Sequence, residues 1–372
     1  MKLRIKQLAQ LAFISFFSFY SSCSIQVKTV KQPLIWNVSD LVAEKTNIDN
    51  SKFVRSIKKT ADIYCTDSIV LITDKQNTFA PDSHYYCSIG PYWWPDPNNP
   101  EHYIRRDGKI NPERSKFDRE KLSTFANKCF DLSRAFYLTE DNAYYSSFIK
   151  QLEAWFIDQS TFMYPNFEYA QVIPGRGNNK GRSTGFIDAY DFNTVIESIR
   201  LVNSIKMIDK NNLDAIKEWF LDFATWAEGG DYGKSLRETN NNIGVAYDVT
   251  LINMYLFGGN VERAKAIADS FAERRLAVQI MEDGSQPAEL KRTNAFSYSL
   301  YNLMHIVDFC YLVRVWYPNY YKEHQELIDK AFVFLSPFTY NPESFPYQQI
   351  SGWDNCKKNF EKQIKRLNDL SK

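Results

Sequence analysis

An α/α toroid, an incomplete α/α barrel built from helical hairpins, is the fold the sequence predicts, and two observations predict it. After Pro112 hydrophobic residues recur near every 3.6 positions in one segment after another, and no part of that region alternates convincingly with period two. Between segments stand breakers: Gly229, Gly230 and Gly233 in one place, Gly258, Gly259 and Asn260 in another. Consecutive amphipathic helices joined by loops pack as hairpins, with alternate helices lining an inner layer and the loops gathered at two ends. No boundary is visible in the helical region, so residues 24–372 read as one all-α domain.

Residues 1–22 read as an export signal. Lys2, Arg4 and Lys6 precede an apolar run at 11–20 that is too short to span a bilayer. Ser21, Ser22 and Cys23 follow, which suits either a lipoprotein site with Cys23 lipidated or ordinary cleavage nearby. The protein is therefore expected to be exported, periplasmic or an outer-membrane lipoprotein attached to the membrane through Cys23. Residues 24–50 are a mixed lead-in, and Val54, Ile57, Ala61 and Tyr64 mark a helical face within 54–72. Residues 84–113 are expected to be a long ordered loop, because Pro91, Pro95, Pro97, Pro100 and Pro112 with Gly90 and Gly108 break helix and strand alike. Phe117, Leu122, Phe125, Cys129, Leu132 and Phe136 then mark one helix, and Phe148, Leu152, Trp155 and Phe156 the inner face of another at 144–157. Helical spacing continues over 193–208, 211–227, 244–257, 261–278, 297–317 and 321–335.

Composition narrows the function. An aromatic share of 16% supports both a large core and aromatic-lined surface. Formal net charge is +1 over 372 residues, and removing Lys2, Arg4 and Lys6 takes it to −2. A near-neutral chain without a basic run interleaved with aromatics gives no footprint for nucleic acid. Six cysteines include no Cys-x-x-Cys pair, so zinc-knuckle and redox motifs are absent, as is any His-based metal constellation.

Four polar segments interrupt the helices. The first sets Tyr92, Trp93 and Trp94 side by side, with Arg105 and Arg106 nearby. Rings stack on a pyranose face and guanidinium forks grip carboxylates, so the set suits a polyanionic sugar; a Trp-rich plug closing one end of the helical domain is the alternative. The second runs over 163–188 and contains Gln171, Arg182, Asp188 and the glycines Gly175, Gly177, Gly181 and Gly185. The third is Asn240, Asn241 and Asn242, followed by Tyr247 and Asp248; its amides serve either as helix N-caps or as donors to a uronate carboxyl group. The fourth, 283–293, contains Glu289 and Arg292 and leads to Tyr298. An arginine close to a tyrosine lowers its pKa and suits it to proton transfer; a solvated salt bridge beside a half-buried ring is the other reading. Of the four histidines, His305 reads as a satisfied core residue, His324 as solvent-facing, and His84 and His102 as flanking the aromatic loop.

These segments resemble the alginate lyase superfamily in order and content. The run at 85–97 (Tyr-Tyr-Cys-Ser-Ile-Gly-Pro-Tyr-Trp-Trp-Pro-Asp-Pro) and the Arg-x-Asp-Gly-x-x-Asn-Pro-Glu pattern at 105–113 are followed by Asn166 to Gln171, Gly181 to Asp188, and Asp283 to Leu303. The resemblance implies the same α/α toroid and a β-elimination in which a neutraliser binds the uronate carboxyl group, a base takes the C5 proton and an acid protonates O4. It implies Tyr298, Asn242 and Arg292 as catalytic residues. Residue chemistry and the resemblance together assign substrate binding to Gln171, Asn241, Tyr92, Trp93, Trp94, Arg106, Arg182 and Tyr247, with His84 added by its loop position. Where characterised members carry Asn-Asn-His, this chain has Asn241, Asn242 and Ile243, and isoleucine neither takes nor gives a proton.

Three readings follow from Ile243. Tyr298 serves as both base and acid while Asn242, Gln171 and Arg292 hold the carboxylate; His84 takes over the missing role; or the protein binds uronic-acid sugar without cleaving it. A glycoside hydrolase using acids among Asp188, Asp191 and Glu289 is the alternative from another class. The expected partner is an acidic, uronic-acid polysaccharide of alginate or glucuronan type, and the elimination route calls for no metal or organic cofactor.

Overall fold

The computed structural model describes residues 32–45 and 51–372. The export signal and Cys23 lie outside the described residues. In chain order the elements are α1 Ser39–Glu44, α2 Lys52–Thr66, β1 Cys87–Ile89, β2 Trp93–Asp96, β3 Asn99–Arg105, α3 Arg119–Thr139, α4 Asn142–Phe156, β4 Tyr169–Val172, α5 Asp191–Ile205, α6 Lys210–Glu228, α7 Gly230–Arg237, α8 Asn242–Gly258, α9 Val261–Asp269, α10 Ala277–Gln279, α11 Pro287–Leu290, α12 Ala295–Leu312, α13 Tyr320–Tyr340 and α14 Trp353–Ser371.

Sequence pattern explains the layering. Every residue of α8 from Gly244 to Tyr255 is buried, and α12 is buried along most of its length. A helix that is apolar all round belongs inside, whereas α2 buries only Val54, Ile57 and Ala61. The inner layer is accordingly α3 against α5, α5 against α8, and α8 against α12, with α4 on α3, α6 and α9 on α8, and α13 and α14 on α12. This is the α/α toroid of helical hairpins. One contiguous hydrophobic core runs from Ile35 to Leu370. Glu197, fully buried, accepts hydrogen bonds from the backbone N–H groups of Ile35 (2.7 Å) and Trp36 (3.1 Å) and from Arg200 (2.5 Å), pinning the lead-in segment to α5.

Several expectations change. The 84–113 stretch is not all loop: β2 and β3 form an antiparallel hairpin, and β1 pairs in parallel with β4. Its prolines are tolerated because a two-stranded hairpin consists of edges only. Asp96 turns the chain by accepting from the Asn98 N–H (2.9 Å). The breaker at 229–233 carries the short helix α7, in which Gly233 packs against the Glu228 backbone where a side chain has no room. The helix expected over 261–278 breaks into α9, a π turn at Ala272–Leu276 and α10. Within that turn Arg275 is buried against Asp248 (2.7 Å) and the carbonyl of Thr239 (2.6 Å), which anchors the segment leading into α8. α14 lies beyond the last expected helix, with Cys356, Phe360, Gln363, Leu367 and Leu370 on its buried face. The five cysteines of the described residues are free thiols. No helix of the described residues is long and apolar enough to cross a membrane.

His305 differs from its expected satisfied state. Its ring lies between those of Tyr190 (4.1 Å) and Tyr301 (4.2 Å), and neither ring nitrogen has a protein hydrogen-bond partner. Burial lowers its pKa to about 4, against a weak opposing pull from Asp308. Between that value and the ordinary 6.5 the unfolded chain binds more protons than the folded one, so stability falls as pH drops through this window. The integrated loss is about 3 kcal/mol. His305→Leu is expected to flatten the melting temperature against pH over this range; equal slopes for variant and wild type would refute the assignment. His324 is partly buried rather than solvent-facing, its ring 4.4 Å from that of Tyr320.

Candidate functional site

The N-termini of the inner helices α8 and α12 open on the same end of the toroid, and the β2–β3 hairpin and β4 rise beside them. Between them lies a cleft of about 480 Å³ lined by Tyr92, Trp93, Gln171, Arg182, Asn241, Asn242, Ile243, Arg292 and Tyr298, together with Arg105, Thr184 and Tyr301. Three guanidinium groups line it, and no Asp or Glu does. Helix N-termini add positive potential of their own, so the cleft is built for an anion.

Tyr298 and Tyr92 meet hydroxyl to hydroxyl across the cleft. Arg292 lies 3.8 Å from the centre of the Tyr298 ring and 6.0 Å from that of Tyr92. Burial, and then the neighbouring Tyr92, push the Tyr298 hydroxyl well above its ordinary pKa; Arg292 pulls down but does not prevail. The expectation that the arginine would lower this pKa is thus corrected, because the same packing that brings the guanidinium close also removes water.

Arg292 is already engaged. Its Nε and one terminal nitrogen donate to Asp107 at 3.1 and 2.9 Å, and Asp107 also accepts from the Thr293 N–H (3.2 Å) and hydroxyl (3.1 Å). Burial alone raises the Asp107 pKa, yet these hydrogen bonds and the charges of Arg292 and Arg105 hold it well below the usual carboxylate range. The fork that would grip a substrate carboxylate faces Asp107 instead.

Asn242 is engaged in the same way. Its backbone N–H (2.6 Å) and its side-chain amide (3.0 and 2.9 Å) all donate to the buried Glu289. Asn241 is the N-cap of α8, accepting from the Ile243 N–H (2.9 Å). The capping reading of the asparagine run therefore describes Asn241, and Asn242 turns its donors away from the cleft.

Arg182 is different. Its guanidinium donates to the Gln171 carbonyl (3.1 Å) and to the Gln171 Oε1 (2.9 Å), and among the described residues no carboxylate forms an ion pair with it. Burial and the charge of Arg105 lower its pKa, with Asp188 opposing. Gln171 holds a left-handed backbone (φ 52°), fixed by a bond from its N–H to Ser88 Oγ (2.9 Å) and from its amide to Asp188 (3.2 Å). Non-glycine residues adopt that conformation at a cost of roughly 1–3 kcal/mol, and it is kept where surrounding structure over-determines it. Gly90 makes room for the same corner: a Cβ there would sit 2.6 Å from the Trp93 ring and 3.2 Å from Arg182.

Other expected residues stand elsewhere. Trp93 reaches the cleft, but Arg176 (4.7 Å) and Arg182 (6.0 Å) lie against its ring. Trp94 and Arg106 pair with each other outside the cleft, the guanidinium 5.2 Å from the ring, and Trp94 donates to the Lys109 carbonyl. Strand alternation explains this: Trp93 is opposite Arg105 in the hairpin, so Arg105 shares its face and Arg106 does not. Tyr247 is buried beneath the site against Phe186. His84 bonds the Phe162 carbonyl (2.6 Å) between Phe162 and Tyr164, and His102 contacts Arg176. No histidine lines the cleft. The three acids weighed for hydrolysis are committed: Asp188 to Tyr86, Ser88 and Gln171, Asp191 to Arg119 (2.7 Å), and Glu289 to Asn242. Sequence reasoning placed Arg105 beside the aromatic run but assigned binding to Arg106, and it gave no role to Thr184 or Tyr301; Tyr301 stands one helical turn after Tyr298, a spacing that could have found it.

Comparison with known proteins agrees with the fold. The family model described as alginate lyase matches residues 72–345. An alginate lyase from Bacteroides ovatus is 32% identical over 91% of this chain and 92% of its own, with a TM-score of 0.84. A variant of alginate lyase A1-III complexed with a tetrasaccharide shares the fold at 16% identity and a TM-score of 0.56, over 85% of this chain and 80% of that one. No curated protein matches.

Proposed function

Because the chain belongs to the alginate lyase family, whose members are polysaccharide lyases, we propose that it cleaves a uronic-acid polysaccharide of alginate or glucuronan type by β-elimination. The observation that carries this reading is a cleft with three arginines, no carboxylate and a hydrogen-bonded tyrosine pair. Arg182, the one of the three without an acidic partner, receives the uronate carboxylate. A guanidinium there withdraws charge as the C5 proton leaves, which is where electrostatic stabilisation lowers the barrier most. Tyr298 removes that proton, supported by Arg292 against its ring. The absence of acids from the cleft argues against hydrolysis, which needs two of them across the scissile bond. The residues at 1–22 support export of the protein, with attachment through Cys23 the lipoprotein form of the same proposal.

Ile243 lines the cleft where family members carry histidine, and this favours one rival: binding without turnover. Elimination leaves a C4–C5 double bond conjugated to the carboxyl group, which absorbs in the ultraviolet. Purified protein incubated with a panel of uronate polymers, alginate first, is expected to raise that absorbance. Binding by calorimetry with no absorbance change on any polymer would refute the lyase and establish the rival.

A further inference from the structure

Elimination needs an acid at O4 as well as a base at C5, and the cleft holds two phenols in direct contact. We infer that Tyr92 is the acid that protonates the departing O4 while Tyr298 is the base at C5, the two hydroxyls exchanging one proton per turnover. This rests on the lyase reading above and divides the chemistry within it.

The geometry supports the division. Tyr92 comes from the segment between β1 and β2, and Tyr298 from the first turns of α12, so each is held by a separate wall while their oxygens share a hydrogen bond. C5 and O4 are two bonds apart in the sugar, so a pair of adjacent oxygens on one face reaches both atoms at once. Arg292 lies beside both rings, so its charge stabilises phenolate on either partner. The charged and titratable groups around the pair are Arg292, Asp107, Arg105, Arg182 and Tyr301. No histidine is among them, so the proton traffic falls to the phenols.

The step balances. Tyr298 starts as phenolate, accepting a hydrogen bond from the Tyr92 hydroxyl. Its oxygen takes the C5 proton, the C–H electron pair becomes the C4–C5 double bond, and the C4–O4 bond breaks with its pair on oxygen. Tyr92 gives its proton to O4. That leaves Tyr298 as phenol and Tyr92 as phenolate, and one proton crossing their shared hydrogen bond restores the start.

The test compares Tyr92→Phe with wild type on polymer and on a uronide carrying an aryloxy leaving group at C4, which departs without protonation. On polymer kcat is expected to fall by about 10²-fold or more with KM little changed. On the aryloxy substrate kcat is expected to fall less than about threefold. Tyr298→Phe should lose turnover on both substrates, because C5 deprotonation is needed for each. Replacing Tyr92 by 3-fluorotyrosine keeps the shape and changes only the acidity, so a rate change confined to polymer would support the role even if Tyr92→Phe folds poorly. Equal losses on both substrates, or no loss on either, would overturn it while leaving a working lyase. A wild-type enzyme that forms no unsaturated product from any polymer would instead overturn the lyase reading itself.

Discussion

Tyr298→Phe is expected to lower kcat on the responsive polymer by roughly 10²–10⁴-fold, the range for removing a positioned proton-transfer group, while oligosaccharide affinity changes little. The ring remains to pack against Arg292, and only the hydroxyl that meets Tyr92 is lost. Because burial and Tyr92 raise the Tyr298 pKa, the phenolate is scarce at neutral pH and gains population as pH rises. Wild-type kcat/KM should therefore climb with pH from neutral into the alkaline range, with Arg292 and Asp107 charged throughout. Near-normal turnover in the variant, or activity that falls over that range, would remove Tyr298 from the chemistry.

Arg182→Met should move activity and stability in opposite directions. Loss of the carboxylate partner removes transition-state stabilisation of about 3–4 kcal/mol, or roughly 10²–10³ in kcat/KM. In the free protein, however, that guanidinium is a partly buried cation in no ion pair, held by hydrogen bonds to Gln171 and lying near the Trp93 ring. Replacing such a charge by an apolar side chain of similar length is often neutral or stabilising by about 1–4 kcal/mol. Thermal melting of the variant should accordingly match or exceed that of wild type, alongside the kinetic loss. A variant that loses stability and keeps its activity would show that Arg182 is a structural residue. Arg292→Met should behave otherwise, since it takes from the partly buried Asp107 carboxylate one of its two guanidinium partners, leaving Arg105 and Thr293, and so costs stability.

Much of this architecture was legible because one-sided burial leaves a period in the chain. Phe117 through Phe136, Phe148 through Phe156 and the later segments each show the 3.6 spacing of a helix with one wet face, and their succession yields hairpins and hence the toroid. The period fails where burial is complete or the backbone irregular. The π turn at Ala272–Leu276 follows from where Arg275 finds Asp248, a partner in another helix. In the hairpin, prolines hid the alternation that places Arg105, and not Arg106, beside Trp93.

The sequence by itself determined the helical class, the grouping of polar segments that become the cleft, and Tyr298, Gln171 and Arg182 as cleft residues, because periodicity and motif order are local properties. Only the tertiary structure decided which cation is free. Arg292 and Asp107 are 185 positions apart, and Asn242 and Glu289 are 47 apart, yet each pair is joined in the fold. A charge is available to a ligand only if no nearer partner neutralises it, and which groups are near is a property of the folded chain alone.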